Sequence, residues 1–266
     1  MGSKLLETAK TNDRHAVAHE ANRRSGYLLP DYWIVPLCDN TGLWWLDHEA
    51  YVERVCEIVK SSRAETVLEA GCGDGWNCHK LAACGLDVVG CDWSQNGIDH
   101  AKRLVPNARF HCGDLTDPEF KRSFSELFDA IVLIEVIEHI PPDECASALE
   151  NVLRFLRPGG TFVVTTPSTN QANQNPQHYR HFDEMTLRDV LSTVKGMEVT
   201  SVEGYGDAVF GGTYNQIMRL CDNRFYRIKP LKRWLDDVYR RKYARRTSPR
   251  RSRGLIVTAI KQAAPT

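Results

Sequence analysis

The sequence predicts an α/β protein in which a seven-stranded, mostly parallel sheet is covered by helices on both faces. Short apolar runs alternate with helical segments from residue 66 onwards, and five such runs precede residue 168. The runs are apolar throughout, as in strands that are buried on both faces. Two further runs follow residue 196. This order of elements is typical of the Rossmann-like class.

The strands and helices are assigned in chain order from this alternation. The strands are predicted at 66–70, 87–92, 108–114, 129–136, 161–167, 197–206 and 253–262. The helices are predicted at 46–62, 76–85, 95–105, 143–160 and 185–196. The fourth helix closes on "FLRPGG", whose basic residue, proline and glycines are typical of a helix end.

Composition divides the chain into three parts. Residues 1–60 are predicted to form an N-terminal helical arm or lid, rich in aromatic residues near its end. Residues 61–205 together with 253–263 form the Rossmann-like core, and residues 206–252 form a basic helical insertion before the last strand. A polar loop at 168–182 is long enough to suggest a function.

Length and composition exclude several classes of protein. The 266 residues have a formal net charge of zero and 42% apolar residues, which argues against a disordered chain and against a general polyanion binder. Nine scattered cysteines without a CxxC pair favour reduced thiols over a disulfide framework or a zinc cage. No apolar run approaches the ~18 residues of a membrane span, and no secretory signal is recognisable. We therefore expect a cytoplasmic protein.

A glycine-rich turn follows the first predicted strand in "VLEAGCGDGWN" (67–77). Glycines at such a turn let the backbone approach a ligand that a side chain would block. A dinucleotide-binding turn needs a glycine three residues after Gly73, where this chain has Trp76. Glu69 stands just before the turn, and its negative charge suits a cationic amino-acid group better than a pyrophosphate.

Two further acids end the next two strands. Asp92 follows Gly71 by 21 positions, where a carboxylate can accept hydrogen bonds from both hydroxyls of a ribose. Asp114, in "CGDL", is placed to recognise the amino group of an adenine. An adenosine that carries a positively charged amino acid and no phosphate is S-adenosylmethionine. The turn and its acids therefore predict this cofactor.

Five motifs in order carry a resemblance to a known family. "VLEAGCGDG", "GCDWS", "GDL", "FDAIVLIEVIEHI" and "LRPGGTFVVTTP" resemble the successive motifs of class I S-adenosylmethionine-dependent methyltransferases. The resemblance covers residues 60–205 and the closing strand. It implies that Glu69, Gly71 and Gly73 line the methionine end, that Asp92 holds the ribose, and that Trp93 and Leu115 sandwich the adenine. It also implies that Asp114 faces the adenine amino group and that Glu135 contacts the cofactor.

A second motif, Glu135-x-x-Glu138-His139, follows the fourth strand. If a helix begins here, the three side chains share one face and form most of an octahedral divalent-metal site. The motif resembles those of the small-RNA 2′-O-methyltransferases and the ubiquinone-pathway O-methyltransferases. That resemblance implies a later histidine as a further ligand, His178 or in reserve His181, and Mg²⁺ or Mn²⁺ as the ion.

Two readings of this motif need no metal. The negative charge of Glu138 can interact with the positive end of a helix dipole, which stabilises the helix by ~0.3–1 kcal/mol. His139 can act as a general base for a hydroxyl. The catalytic candidates are His139, Glu135 and His178. The metal and the general base both favour an oxygen nucleophile over carbon.

The segment 224–253 carries thirteen lysines and arginines against two acids. An apolar stripe at helical spacing predicts a docked amphipathic helix with a solvated basic face; it consists of Leu231, Trp234, Leu235 and Val238. The basic face could instead bind an anionic partner such as a phosphorylated substrate, RNA or a membrane surface. The oligomeric state is left open.

The sequence thus predicts a methyltransferase that acts on a hydroxyl of a small polar acceptor: a sugar, a nucleotide-linked sugar or a phenolic metabolite. The alternatives are an RNA 2′-O-methyltransferase and a non-catalytic scaffold that binds S-adenosylmethionine. Tyr205, Tyr214 and Arg180 are candidates for the acceptor pocket. The tryptophans at 33, 44 and 45 either cover the substrate or anchor the packing.

Overall fold

The computed structural model describes residues 26–37, 42–221, 228–245 and 247–263. It confirms the predicted α/β class with a seven-stranded sheet in the order β3-β2-β1-β4-β5-β7-β6. The strands are β1 (Thr66–Ala70), β2 (Asp87–Asp92), β3 (Arg109–Cys112), β4 (Phe128–Ile134), β5 (Leu156–Pro167), β6 (Met197–Asp207) and β7 (Ser252–Lys261). Only β7 runs against its neighbours, β5 and β6.

The helices of the described residues lie between these strands and before β1. They are α1 (Asp31–Ile34), α2 (Gly42–Ser61), α3 (Trp76–Ala83), α4 (Gln95–Leu104), α5 (Cys145–Leu153), α6 (Glu184–Ser192), α7 (Ala208–Cys221) and α8 (Lys229–Lys242). Short 3₁₀ helices occur at Val35–Leu37, Pro118–Arg122 and Ile137–His139. Residues 1–25 and 38–41 of the predicted arm and residues 222–227 and 246 of the predicted insertion lie outside the described residues.

The prediction of a helix over 143–160 is wrong at its end. Helix α5 stops at Leu153, and "LRPGG" already belongs to β5. Leu156 pairs with Phe128 of β4, and Gly159 adopts a φ of 77°, which no helix tolerates. The proline and glycines therefore shape the entry to a strand.

Apolar side chains cover both faces of the sheet. One core cluster joins β4 to α5 and α6 through residues such as Leu133, Leu149 and Leu187, all buried. A second cluster joins the opposite face to α2, α3 and α4. Both faces of the central sheet are therefore covered by helices, as the unbroken apolar runs predict.

The basic insertion packs on the body through α8. Leu235 and Tyr239 are buried against α2 and α7, in a cluster with Tyr214. Trp234, predicted in the buried stripe, is instead 59% exposed. The face of α8 that packs on the body is therefore centred on Leu235 and Tyr239 and not on Trp234. The arginines of α8 face solvent. Among the described residues, no helix is both long and apolar enough to span a bilayer.

The carboxyl ends of β1 to β5 meet at one edge of the sheet because these strands are parallel. Strand β7 runs the other way, so its first residues lie at this same edge. Gly254 of β7 pairs with Pro167 at the end of β5. Ligands of open parallel sheets bind outside this edge.

Candidate active site

A cavity of about 590 Å³ opens at the carboxyl edge of the sheet. Its wall includes most of the residues predicted for the cofactor: Gly71, Gly73, Asp92, Trp93, Asp114, Leu115 and Glu135. It also includes the second motif through Glu138, His139 and His178. The structure therefore brings both motifs to one cavity.

The glycine turn is built from left-handed backbone. Gly71, Gly73 and Gly75 have φ values of 86°, 53° and 83°, which side chains rarely permit. A Cβ atom on Gly71 would lie only 2.4 Å from Cγ2 of Val136. The turn thus leaves a backbone cradle on the cavity wall, and Trp76 begins α3 directly after it. Side chains at these positions are excluded by Val136 and Tyr27, so the turn presents only backbone to the cavity.

Asp92 connects the glycine turn to the segment after β2. Its Oδ2 accepts a hydrogen bond from the Gly73 amide at 2.9 Å, and its Oδ1 accepts one from the Ser94 amide at 2.8 Å. Burial raises the pKa of Asp92 to about 6. Each carboxylate oxygen keeps a second lone pair, so the predicted contact with the ribose hydroxyls fits this geometry.

Glu69 is fully buried behind the turn and is absent from the cavity wall, unlike the other predicted cofactor residues. Burial raises its pKa to about 8, although the nearby Cys78 and Asn77 oppose the shift. A carboxyl that is protonated at neutral pH and lies off the wall does not make the predicted direct contact with the amino group of the cofactor.

The raised pKa of Glu69 predicts a stability that falls as pH rises. Folding lifts the pKa from the ordinary 4.5 to about 8, so the folded chain holds a proton that the unfolded chain loses. The loss from this group between pH 6.5 and pH 8 is about 1.5 kcal/mol. The buried histidines have depressed pKa values and change their protonation below this window. Urea unfolding of the Glu69→Gln variant is expected to show a flatter pH dependence than the unsubstituted chain.

The control for this measurement is Glu65→Gln, at the exposed start of the same strand. It should keep the pH dependence of the unsubstituted chain. Parallel pH curves for the Glu69→Gln variant and the unsubstituted chain would contradict the prediction.

The second motif does not form the predicted α-helix. Only a 3₁₀ turn is present at Ile137–His139, and Glu135 takes a left-handed φ of 55°. Residues 135, 138 and 139 therefore do not share a helical face. The Glu135 carboxylate accepts hydrogen bonds from the Tyr205 hydroxyl at 2.9 Å and from the Thr165 hydroxyl at 3.0 Å. Burial raises its pKa to about 7.

Three of the four predicted metal ligands nevertheless come together. Ligand atoms of Glu138, His139 and His178 lie within 4.8 Å of one another; Glu135 is outside this group. Glu138 is fully buried, and burial, with Glu135 beside it, raises its pKa well above the ordinary range. Its Oε2 accepts from the Thr166 hydroxyl, whereas its Oε1 has no hydrogen-bond partner among the described residues.

Hydrogen bonds set the tautomers of the histidines. The Nδ1 of His139 donates to the carbonyl of Gln177 at 3.2 Å, which leaves the lone pair on Nε2. The Nδ1 of His178 lies 3.1 Å from Nε2 of His181, whose own Nδ1 donates to Gln171. Burial lowers the pKa of His178 to about 3, so its ring stays neutral. The Nε2 of His178 accepts a hydrogen bond from the Asn175 amide at 2.9 Å, which a metal ion at this nitrogen would have to replace.

The N-terminal segment covers the glycine turn. The Tyr27 hydroxyl lies against Gly73, where an added Cβ would be 2.4 Å from it. Asp74 accepts a hydrogen bond from the Tyr32 amide at 2.9 Å, and its carbonyl accepts one from the Trp33 indole at 3.1 Å. Trp44 lines the cavity and is 49% exposed.

The remaining candidates divide between the cavity and the core. Tyr205 lines the cavity, but the predictions for Tyr214 and Arg180 are wrong. The Tyr214 hydroxyl bonds to Asp236 inside the insertion, and the Arg180 guanidinium stacks on Phe182 at 4.6 Å. Trp45 is buried and acts as a packing anchor.

Tyr27 and Tyr32 line the cavity and belong to the aromatic-rich region 27–45 that the sequence predicts over the substrate, whereas Asp47, Tyr51 and Arg253 were not predicted at the site. Most of the cavity residues that no motif predicts lie before β1. No sequence motif indicates where this part of the chain packs on the sheet. The exception is Arg253, which begins the last predicted strand. If the last strand had been predicted to be antiparallel, Arg253 would have been expected at the carboxyl edge.

Comparison with known proteins supports the family. Residues 67–160 match a family described as a methyltransferase domain. A probable S-adenosylmethionine-dependent methyltransferase of Mycolicibacterium smegmatis is 28% identical over 176 residues, which are 64% of this chain and 65% of that protein. A ubiquinone biosynthesis O-methyltransferase of Coxiella burnetii is 30% identical over 112 residues, 41% of this chain and 46% of that protein. The chain thus spans about half to two thirds of these relatives.

Solved structures show the same fold. Magnesium protoporphyrin IX methyltransferase from Synechocystis PCC 6803, with bound S-adenosylmethionine, superposes with a TM-score of 0.58 at 16% identity. That match covers 94% of this chain and 97% of the other. The methyltransferase domain of bacterial CtHen1 superposes with a TM-score of 0.54 at 18% identity, over 82% of this chain and all of that domain. The matched domain at 67–160, the relatives and the sheet together support a class I S-adenosylmethionine-dependent methyltransferase.

Proposed function

We propose that this chain transfers the methyl group of S-adenosylmethionine to a hydroxyl oxygen of a small polar acceptor. One observation carries the proposal: a single cavity joins the glycine turn and Asp92 to His139 and the carboxylates of the second motif. The O-methyltransferase among the relatives supports oxygen as the nucleophile. A sugar, a nucleotide-linked sugar or a phenolic metabolite would fit a cavity of about 590 Å³.

The residues of the turn fit the cofactor by shape and charge. Gly71 and Gly73 present backbone without side chains on the cavity wall, and Asp92 offers lone pairs to the ribose. Trp93 and Leu115 flank the position predicted for the adenine. When bound, the cofactor supplies a methyl carbon that is activated by a sulfonium sulfur.

His139 is placed to take the proton of the acceptor hydroxyl. Its Nδ1 donates to the carbonyl of Gln177, which orients the ring and makes Nε2 the nitrogen that would take the proton. The acceptor oxygen forms its bond to the methyl carbon while the carbon–sulfur bond breaks and leaves its electron pair on sulfur. Alignment of these atoms by the cavity wall can contribute ~7–11 kcal/mol.

A divalent metal also fits the second motif. Glu138 presents a buried oxygen without a partner among the described residues, next to the imidazoles of His139 and His178. Two nitrogens and one carboxylate favour Mn²⁺ over Mg²⁺, which prefers oxygen ligands. When bound, such an ion would lower the pKa of the acceptor hydroxyl. The ligands would be Glu138, His139 and His178.

Glu138→Gln is expected to remove Mn²⁺ binding, because it replaces the charged oxygen of the cluster with a neutral amide. Calorimetry with Mn²⁺ on the chelator-treated chain measures this directly and does not require turnover. The matched control is Glu144→Gln, which lines the same cavity outside the cluster. If the unsubstituted chain binds no Mn²⁺ and its turnover is unchanged by chelator, Mg²⁺ or Mn²⁺, the metal has no place in the mechanism.

The proposed reaction is tested by incubating the chain with S-adenosylmethionine and hydroxyl acceptors and measuring S-adenosylhomocysteine. Release that depends on an acceptor and yields a methyl ether supports the proposal. Binding of S-adenosylhomocysteine without release for any acceptor, including RNA, would leave only a cofactor-binding scaffold.

A further inference from the structure

We propose that Arg253 binds a carboxylate of the methyl acceptor, which makes the acceptor a hydroxy acid. The inference rests on the proposed function and names its substrate class. It is carried by the position of Arg253 in the cavity, by the groups that hold its guanidinium, and by the charge of the surrounding wall.

The position of Arg253 follows from the direction of β7. It is the second residue of this antiparallel strand, next to the pair formed by Gly254 and Pro167 at the carboxyl edge. Its side chain lines the cavity and is 19% exposed. A ligand in the cavity can therefore contact the guanidinium without any rearrangement of the sheet.

Asp47 fixes one side of the guanidinium. The Nε of Arg253 donates to Oδ2 of Asp47 at 2.6 Å, and Oδ1 of Asp47 accepts from the Tyr239 hydroxyl at 2.5 Å. Asp47 and Tyr239 are buried, so the arrangement is rigid. Neither terminal nitrogen of Arg253 makes a hydrogen bond or ion pair with any other residue that the structure describes.

Two glycines make room for the Arg253 side chain. A Cβ on Gly206 would lie 3.0 Å from its Cβ and Cδ, and one on Gly211 would lie 3.3 Å from its Nη1. The guanidinium is thus seated in a slot between α2, β6 and α7. A fixed planar fork with two terminal donors matches a carboxylate in a bidentate contact.

The charge of the cavity wall makes Arg253 distinctive. Among the described residues that line the cavity, it is the only lysine or arginine. The wall otherwise carries acids: Asp47, Asp74, Asp92, Asp114, Glu135, Glu138 and Glu144. A singly charged carboxylate is repelled less by these acids than a doubly charged phosphate. An acceptor anion is therefore directed to one end of the cavity.

The carboxylate of the cofactor is the other anion that could reach this cavity. Apart from Glu135, which follows β4, the predicted cofactor residues lie at or just after the ends of β1, β2 and β3, and β7 is three strands from β1 in the sheet order. Three strand spacings correspond to about 14 Å. Arg253 therefore lies on the acceptor side of the second motif.

The experiment is calorimetry on the full chain saturated with S-adenosylhomocysteine. The probes are hydroxy acids paired with their neutral methyl esters: 3,4-dihydroxybenzoate, 4-hydroxybenzoate and glucuronate. We expect at least one acid to bind at least 10-fold more tightly than its ester. The Arg253→Gln variant loses a charged hydrogen bond. Its affinity for that acid should fall by about 10- to 100-fold, and its affinity for the ester should not change. Arg253→Lys keeps the positive charge but not the planar guanidinium. Its affinity for the acid should lie between those of the unsubstituted chain and the Arg253→Gln variant.

Arg251→Gln is the matched control, since Arg251 pairs with Asp207 outside the cavity wall. The Arg251→Gln variant should bind each acid and each ester with the affinity of the unsubstituted chain. The proposal is overturned if no acid binds better than its ester, including no binding at millimolar concentration. It is equally overturned if Arg253→Gln loses S-adenosylhomocysteine instead. An acid that binds through Arg253 but is never methylated would contradict the proposed reaction alone.

Discussion

Asp92→Asn is expected to weaken S-adenosylhomocysteine binding by 100-fold or more. Both carboxylate oxygens accept backbone amides, from Gly73 and from Ser94. An asparagine must turn its NH₂ group towards one of these amides, which sets donor against donor and opens the turn. It also removes the charge that would strengthen hydrogen bonds from the ribose, each worth about 1.5–3 kcal/mol. Calorimetry with S-adenosylhomocysteine measures the loss.

Asp87→Asn is the control for this substitution because Asp87 lies at the other, exposed end of β2 and pairs with Arg109. Its variant should bind the nucleoside normally. Undiminished affinity in the Asp92→Asn variant would remove Asp92 from the cofactor site and, with it, the main support for the predicted ribose contact.

His139→Gln is expected to lower kcat by about 10²- to 10⁴-fold, the usual contribution of a general base. Glutamine approximates the size of the ring but cannot take a proton at neutral pH. The affinity for S-adenosylhomocysteine should change little, because the glycine turn, Asp92 and Asp114 follow β1, β2 and β3, whereas His139 follows β4. The measurement is S-adenosylhomocysteine release at saturating acceptor, combined with calorimetry.

The metal and the general base give different results in this variant. If His139 is a ligand, the variant also loses Mn²⁺ binding; if it is a base only, Mn²⁺ binding is absent from the start. His111→Gln, on β3 and away from the cavity wall, should keep full activity. A normal kcat in the His139→Gln variant would show that His139 acts neither as a general base nor as a ligand of a catalytic metal.

The cofactor end of the site was predictable from sequence because its residues follow strand ends. Glycines after β1 and acids after β2 and β3 must converge, since parallel strands finish at one edge of the sheet. Asp92 and Asp114 accordingly line the same cavity as Gly71. Glu69 precedes the turn by two residues and points into the core, a difference that spacing alone does not reveal.

The second motif shows where local pattern fails. The left-handed backbone of Glu135 is set by a partner 30 residues away, because its amide donates to the carbonyl of Thr165. The ligand cluster still forms, since the polar loop folds back and the Tyr179 amide donates to the Glu138 carbonyl. The contact between Asp47 and Arg253 spans 206 positions, so no local pattern contains it.

The aromatic lining of the cavity has a practical consequence for spectroscopy. Trp44, Trp76 and Trp93 lie on the wall, and Trp33 of the covering segment packs edge-on against Trp76 with 5.0 Å between the ring centroids. A nucleoside entering beside these indoles displaces water from them and changes their emission. Occupancy should therefore be readable by intrinsic fluorescence, without a label or a known acceptor.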